Sequence, residues 1–309
     1  MLFILNQDAG STDPDAAALV AATLAERGAV TTVTVADGDS PDDVLAAHDD
    51  RDVVVAGGDG TLHAVLRALY RRDELGTRRV GLIPLGTGND FARGSGVPLD
   101  PVAAAAVVRD GTSRPTDLIV DDTGDVVVNA AHVGVGADAA DSARPLKPHL
   151  GPAAFPIGAL VAGLFRSGHR LTVVIDGRTV THPRHRSLMV AVSNAPTIAG
   201  GTALLSPDAS VHDGAMHVTV SQATGPLARL GYAVRLRRGS HVDSMDVIHG
   251  PAGEVTITGE PFRVNADGEV SGPVTSRTWR VLRGAWQLYA PAEPTNTSDP
   301  DPTAAAAAR

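Results

Sequence analysis

Val53-Val54-Val55-Ala56-Gly57-Gly58-Asp59-Gly60-Thr61 and Val80-Gly81-Leu82-Ile83-Pro84-Leu85-Gly86-Thr87-Gly88-Asn89-Asp90-Phe91 decide the reading of this chain. Each is a short apolar run that ends in a glycine-rich turn, and each turn opens a helix-compatible segment. In that arrangement backbone N–H groups and a helix N-terminus converge on a phosphate. Glycine suits such a turn because a side chain blocks close approach of the backbone and because positive φ is often needed. Asp59 is the odd member. A carboxylate among phosphate-binding amides repels the ligand unless Mg²⁺ or a transferable proton stands between them. The combination points to a nucleotide with its metal and to phosphoryl transfer. One Gly-Gly-Asp-Gly turn alone fits an ordinary loop. Two such turns about one βα unit apart, at the strand ends where open α/β sheets collect ligands, favour the functional reading.

Outward from these turns, residues 1–117 alternate strand and helix. Strands are expected at Leu2–Leu5, Thr31–Val35, Asp52–Ala56 and Val80–Ile83. Helices are expected over Asp13–Arg27, from Ser40-Pro41, and over Leu62–Tyr70, Asn89–Arg93 and Pro101–Arg109. Repeated βα units predict an α/β domain with a mostly parallel sheet. Residues 118–290 change character. Strands are expected at Leu118–Val120, Val126–Ala130, Leu171–Ile175, Arg178–His182, Leu188–Val192, His217–Val220, Val255–Thr258, Phe262–Ala266 and Val281–Leu288. Turn pairs Asp176-Gly177 and Asp267-Gly268 suit hairpins. The pattern predicts a second, mainly antiparallel β-sandwich domain with helical insertions near Pro152–Arg166 and Pro226–Arg238. Residues 291–309 are rich in Pro, Thr, Asp and Ala without an apolar pattern, and read as a disordered tail.

Composition narrows the function. With 309 residues and 43% apolar content, the chain can bury two cores, built mainly from aliphatic residues because only 3% are aromatic. A formal charge of −9 without long basic runs argues against nucleic acid as a partner. The absence of cysteine excludes disulfide and thiolate chemistry. Lys147 is the sole lysine, so no Walker P-loop is present, and a phosphate clamp must use arginine, amides or metal. The N-terminal Met1-Leu2-Phe3-Ile4-Leu5-Asn6 reads as a buried strand rather than a signal segment, and no apolar run reaches membrane-spanning length. A soluble cytoplasmic protein is expected. The histidines show no metal-ligand spacing.

Here the motifs carry a likeness. The chain resembles the diacylglycerol kinase catalytic-domain family of soluble lipid kinases, which includes sphingosine and ceramide kinases, from about Leu2 to Leu288. The strongest pieces are Gly57–Thr61 and Pro84–Arg93. Others are Asp117-Leu118, Asn129 with Gly134-Val135-Gly136, Leu150-Gly151, Leu205–Ala209 through Asp213-Gly214, and Asn265-Ala266-Asp267-Gly268-Glu269. The resemblance implies ATP bound at the strand ends of the first domain and a lipid hydroxyl phosphorylated in a cleft facing the second. It implies that Asn6, Gln7, Asp8, Ala9 and Gly10 form a nucleotide loop, with Gly57, Gly58, Asp59, Gly60 and Thr61, and then Gly86, Thr87 and Asn89, around the phosphates. It makes Glu269 the general base with Asp267 beside it. Ser210, Asp213 and Ala215 match a Mg²⁺ site. Asp59 either coordinates Mg²⁺ at the phosphates or shares the base role. The partners implied are a lipid substrate met transiently at the inner face of a membrane and, left open, a second copy in a homodimer.

The departures are specific. Asn6-Gln7 stands where the family has Asn-Pro, Ala64 where it has Glu, and His217 where it has an acid. Ala64 bears on catalytic strength. A weak or inactive nucleotide- or lipid-binding protein, and a kinase of a soluble hydroxylated metabolite, remain as alternatives. Ala153–Phe165 reads equally as an acyl-pocket segment or a core helix. Pro226–Arg238 mixes arginines with leucines, as an anionic membrane surface demands; a solvated arginine face is the blander, favoured reading.

Overall fold

The computed structural model describes residues 1–9, 14–36, 40–49, 51–134, 137, 168–182 and 184–291. Four parallel strands form the first half: β1 (Leu2–Asn6), β2 (Thr31–Val35), β3 (Val53–Gly57) and β4 (Arg79–Pro84), in the order β4-β3-β1-β2. Every residue of β3 is buried, as a central parallel strand covered on both faces requires. Between and after these strands run α1 (Pro14–Ala25), α2 (Asp42–Ala46), α3 (Asp59–Arg71), α4 (Asp90–Ser95) and α5 (Pro101–Asp110). α5 shows how local sequence sets the bounds. The Asp100 carboxylate accepts the Ala103 N–H, Pro101 opens the helix, and Gly111 closes it at φ +82°. α3 begins at Asp59 rather than Leu62, so the first glycine turn is itself the helix start.

The second half is antiparallel. It contains β5 (Ser113–Asp121), β6 (Val126–Val127), β7 (Ala130–Gly134), β8 (Leu171–Ile175), β9 (Arg178–Thr179), β10 (Met189–Ser193), β11 (Thr197–Ile198), β12 (Ala203–Leu204) and β13 (Met216–Ser221). After α6 (Pro226–Leu236) come β14 (Val247–Ala252), β15 (Glu254–Ala266) and β16 (Glu269–Tyr289). β14 escaped the sequence pattern because Gly250 and Pro251 interrupt it. It is an edge strand, pairing only with β13, and an edge tolerates proline. The strand expected over Val126–Ala130 is broken in two, because the amides of Val128, Asn129 and Ala130 turn to the Asp267 carboxylate instead of a ladder.

One strand joins the halves. β16 is 21 residues long, pairs antiparallel with β15 and β5, and at Leu288 pairs parallel with Val80 of β4. A register shift between Leu282 and Trp286, with Gly284 at φ +53°, lets it turn from one core to the other. Trp279 is buried in the second core, among Ile119, Val218, Val255 and Phe262; Trp286, Leu288 and Tyr289 are buried in the first. The end of the segment expected as second domain thus packs in the first. Among the described residues no helix is long and apolar enough to cross a membrane. The expected helix near Pro152–Arg166, Gly10, Val135, Gly136, Leu150, Gly151 and the tail after Pro291 lie outside the described residues.

Candidate active site

The two glycine turns pack on each other. A Cβ on Gly86 would lie 2.6 Å from the Gly58 Cα, and one on Gly57 would lie 2.4 Å from Thr61 Oγ1. Neither Gly57, Gly58, Gly60, Gly86 nor Gly88 has a positive φ; the left-handed residue of this region is Asn89, at φ +52°. Gly58 and Gly86 are therefore demanded by close approach of turn to turn and Gly57 by its own Thr61, not by left-handed backbone, while a Cβ on Gly60 meets nothing within 4 Å. Asn89 Nδ2 donates to Gly86 O at 2.6 Å and fixes the second turn. Gly58 caps α3 without any side-chain acceptor, so the helix start carries no capping side chain where it meets the cleft.

Asp59 resolves the puzzle of a carboxylate among amides. Its two oxygens accept the Asp90 and Phe91 N–H groups, each at 3.0 Å, and Asn129 Nδ2 donates at 3.3 Å. The first turn thus caps α4, and its carboxylate does there what a bound anion does at an open helix N-terminus. The N-terminus of α4 is therefore occupied by a carboxylate of the protein itself, while Gly86 and Thr87 of the same turn remain at the cleft. Burial pushes the Asp59 carboxyl above the ordinary carboxylate range, against the pull of those amides. Two other motif aspartates are tied in the same way. Asp90 accepts the Gly200 and Gly201 N–H groups at 2.8 Å, and Asp117 those of Gly214 and Gly284 at 2.7 Å.

Asp267 is also turned inward. Its carboxylate is 2% exposed, accepts the Val128, Asn129 and Ala130 N–H groups at 2.6, 2.9 and 3.0 Å, and lies 2.9 Å from His63 Nδ1. Every contact of this carboxylate is thus with backbone amides and the His63 ring, although Asp267 also lines the cleft described below. Burial lowers the His63 imidazole pKa, but the Asp267 bond and the charges of Asp267, Asp125 and Glu269 outweigh it and hold the group above the usual range. Glu269, two residues on, is exposed at the start of β16, and its side chain makes no hydrogen bond or ion pair among the described residues.

A cleft of about 1080 Å³ gathers these parts: Asn6, Asp8, Ala9, Gly58, Gly60, Thr61, Gly86, Thr87, Asp267 and Glu269 line it. Asn6 Nδ2 donates to Thr61 Oγ1 at 2.9 Å and its Oδ1 accepts the Asp8 N–H, so the first loop is locked to the phosphate turn. Gln7, Gly57, Asp59 and Asn89, expected at the nucleotide, are not among the lining residues, and Gly10 lies outside the described residues. Sequence reading missed His63, Arg67 and Arg71, which line the cleft at four-residue spacing on α3. That spacing is a signal, one helix face. Arg67 pairs with Asp125 at 2.9 Å and Arg71 with Asp42 at 2.8 Å. Ala64 also lines the cleft.

The expected metal residues do meet, but as a self-satisfied turn. Asp213 Oδ2 accepts the Ser210 N–H at 3.2 Å and faces His217 Nε2 at 3.0 Å; Oδ1 accepts the Ala215 N–H at 2.9 Å. The Ser210 carbonyl accepts the Asp213 N–H at 3.4 Å. Among the described residues no group of three or more Asp, Glu, His or Cys side chains is placed to hold a metal ion. The expected set is of oxygen donors, the type a hard cation such as Mg²⁺ takes, with Asp213 its single carboxylate.

Known proteins share this design. Residues 1–120 match the diacylglycerol kinase catalytic domain, and residues 129–290 match the YegS C-terminal NAD kinase beta sandwich-like domain. The chain is 34% identical over 306 residues to a protein named "Probable lipid kinase YegS-like" in Pseudomonas aeruginosa, covering 94% of each. It is 29% identical over 223 residues to a diacylglycerol kinase of Bacillus subtilis, 71% of each. A crystal structure described as a diacylglycerol kinase from Bacillus anthracis str. Sterne superposes with a TM-score of 0.73 at 19% identity, covering 94% of this chain and 96% of that one, which shows the fold.

Proposed function

The chain belongs to the diacylglycerol kinase catalytic-domain family and is a kinase; from that premise we propose that it transfers the γ-phosphoryl group of ATP to the hydroxyl of a diacylglycerol-like or sphingoid lipid. ATP enters as its magnesium complex, so the metal arrives with the substrate. The α3 N-terminus with Gly58, Gly60, Thr61 and Thr87 receives the phosphates. The lipid hydroxyl oxygen attacks the γ-phosphorus in line, its proton passes to the Glu269 carboxylate, and the bond to the bridging oxygen breaks to release ADP.

The observation that carries this reading is the state of the carboxylates. Asp59, Asp90, Asp117 and Asp267 are each held by backbone amides, while Glu269 stands exposed and unpartnered in the same cleft as the α3 N-terminus. Of the motif acids, it is the one able to accept a substrate proton. The test is phosphorylation of a lipid extract with labelled ATP, with the product identified by mass. A phosphorylated lipid is expected. Label appearing only in water-soluble products would replace this reading with a metabolite kinase, and no transfer from bound ATP would replace it with a binding protein.

A further inference from the structure

α6 is apolar on two faces. Its inner face sits on a small core, where Tyr232, Ala228 and Leu236 pack with Ala130, Met189, Ala191 and Leu205. Its outer stripe should be polar, as on an ordinary surface helix. Instead Leu227, Leu230 and Val234, at i, i+3 and i+7, are 84%, 49% and 48% exposed. Arg235 hydrogen-bonds Ser244, which brings the following turn and its fully exposed Met245 alongside. Five of the seven exposed large hydrophobic residues among the described ones fall between Leu227 and Ile248. Arg237 and Arg238 are exposed at the C-terminal end of the stripe.

From this apolar stripe with its basic end we propose that α6 and the Ser240–Asp246 turn form the face that docks on an anionic lipid bilayer. Charge complementarity selects the occupant. Residues 226–249 carry four arginines against two aspartates, on a chain whose formal charge is −9. In a two-fold dimer built on this face the same arginines would oppose each other, whereas anionic headgroups complement them, and the leucines and Met245 enter the acyl boundary. The core under the helix includes Ala130, whose amide holds Asp267, so the docked face and the Glu269 turn share one support. A solvated arginine face accounts for the exposed Arg235, Arg237 and Arg238 but not for the exposed Leu227, Leu230 and Val234. The docking inference rests on the lipid-kinase reading for why a bilayer has to be met at all.

The experiment is co-sedimentation of the full chain with vesicles of phosphatidylcholine alone and with one third phosphatidylglycerol, run beside kinase turnover on lipid in neutral mixed micelles. Wild type should pellet with the anionic vesicles and release as salt rises. Leu227→Ser/Leu230→Ser should weaken that binding at least tenfold, and Arg237→Gln/Arg238→Gln by roughly fivefold per arginine. Micellar turnover should persist in both. Vesicle binding unchanged in both variants, or a halved molar mass on light scattering in the leucine variant, overturns the docking face, the second in favour of a dimer. Vesicle binding without any lipid phosphorylation leaves the face intact and overturns the kinase substrate instead.

Discussion

Replacing Asp267 by Asn separates a structural carboxylate from a catalytic one. The wild-type carboxylate accepts three amides and faces His63 Nδ1, at 2.6–3.0 Å, in a site 2% exposed. Asn keeps one oxygen. If it stays on the Asn129 and Ala130 amides, the new NH₂ opposes the Val128 N–H, and one buried donor is left unpaired. That omission costs about 1–3 kcal/mol. The two remaining bonds lose charge assistance, which roughly halves them and removes about another 1 kcal/mol. The expected loss of unfolding free energy is about 2–4 kcal/mol, or on the order of 10 °C in Tm. His63 loses its charged partner, so its pKa should fall toward the burial-dominated value. Urea unfolding followed by circular dichroism gives the first quantity, and an NMR titration of His63 gives the second. Turnover should fall because the Glu269 turn loosens. If Asp267→Asn unfolds at wild-type urea concentration yet has lost turnover, Asp267 acts on the substrate and the positioning role is refuted.

Glu269→Gln, at an exposed position, should leave stability and ATP affinity unchanged and lower kcat by about 10²–10⁴-fold; wild-type kcat would remove Glu269 as the base. Gly86→Ala puts a Cβ 2.6 Å from the Gly58 Cα, backbone against backbone, so it should destabilise the protein and abolish ATP binding by calorimetry, whereas Gly60→Ala, which meets nothing within 4 Å, should fold normally. Because the folded pKa of His63 lies above its unfolded value, its contribution to stability is full below the unfolded pKa and is lost as pH rises through the folded one; His63→Gln should therefore cost more unfolding free energy at roughly pH 5 than at about pH 9. Ala64→Glu adds a carboxylate to the cleft wall and should change the Mg²⁺ dependence of turnover; no change in a folded variant would make the departure at this position irrelevant.

The βα order, the bounds of β2 and β8, and the gathering of Gly58, Thr61, Gly86, Thr87 and Glu269 around one cleft were legible because apolar runs and glycine turns have local signatures. What Asp59 and Asp267 do was not legible. Their partners are backbone amides, which every residue carries, at separations of 31 and 139 residues. No side-chain pattern marks an amide that is about to be claimed. The glycine turns misled for a related reason: the same residue serves positive φ and close packing, and only the Gly58–Gly86 approach tells them apart. His63, Arg67 and Arg71 could have been grouped by spacing, but that their face meets the cleft depends on the strand order.

These ties bear on how the cleft works. A domain closure would be one way to bring Glu269 to the lipid hydroxyl. In the structure α3 is already fastened to the second half at three points, Asp59 to Asn129, His63 to Asp267 and Arg67 to Asp125, and β16 runs from the Glu269 turn to the first core. A hinge opening of any size has to break a buried carboxylate–imidazole contact and bend a paired strand. On the proposed mechanism the fold therefore holds Glu269 and the first glycine turn in register before any substrate binds. Catalytic alignment then comes from preorganised backbone, and the amide-bound aspartates are what make that backbone stiff enough to provide it.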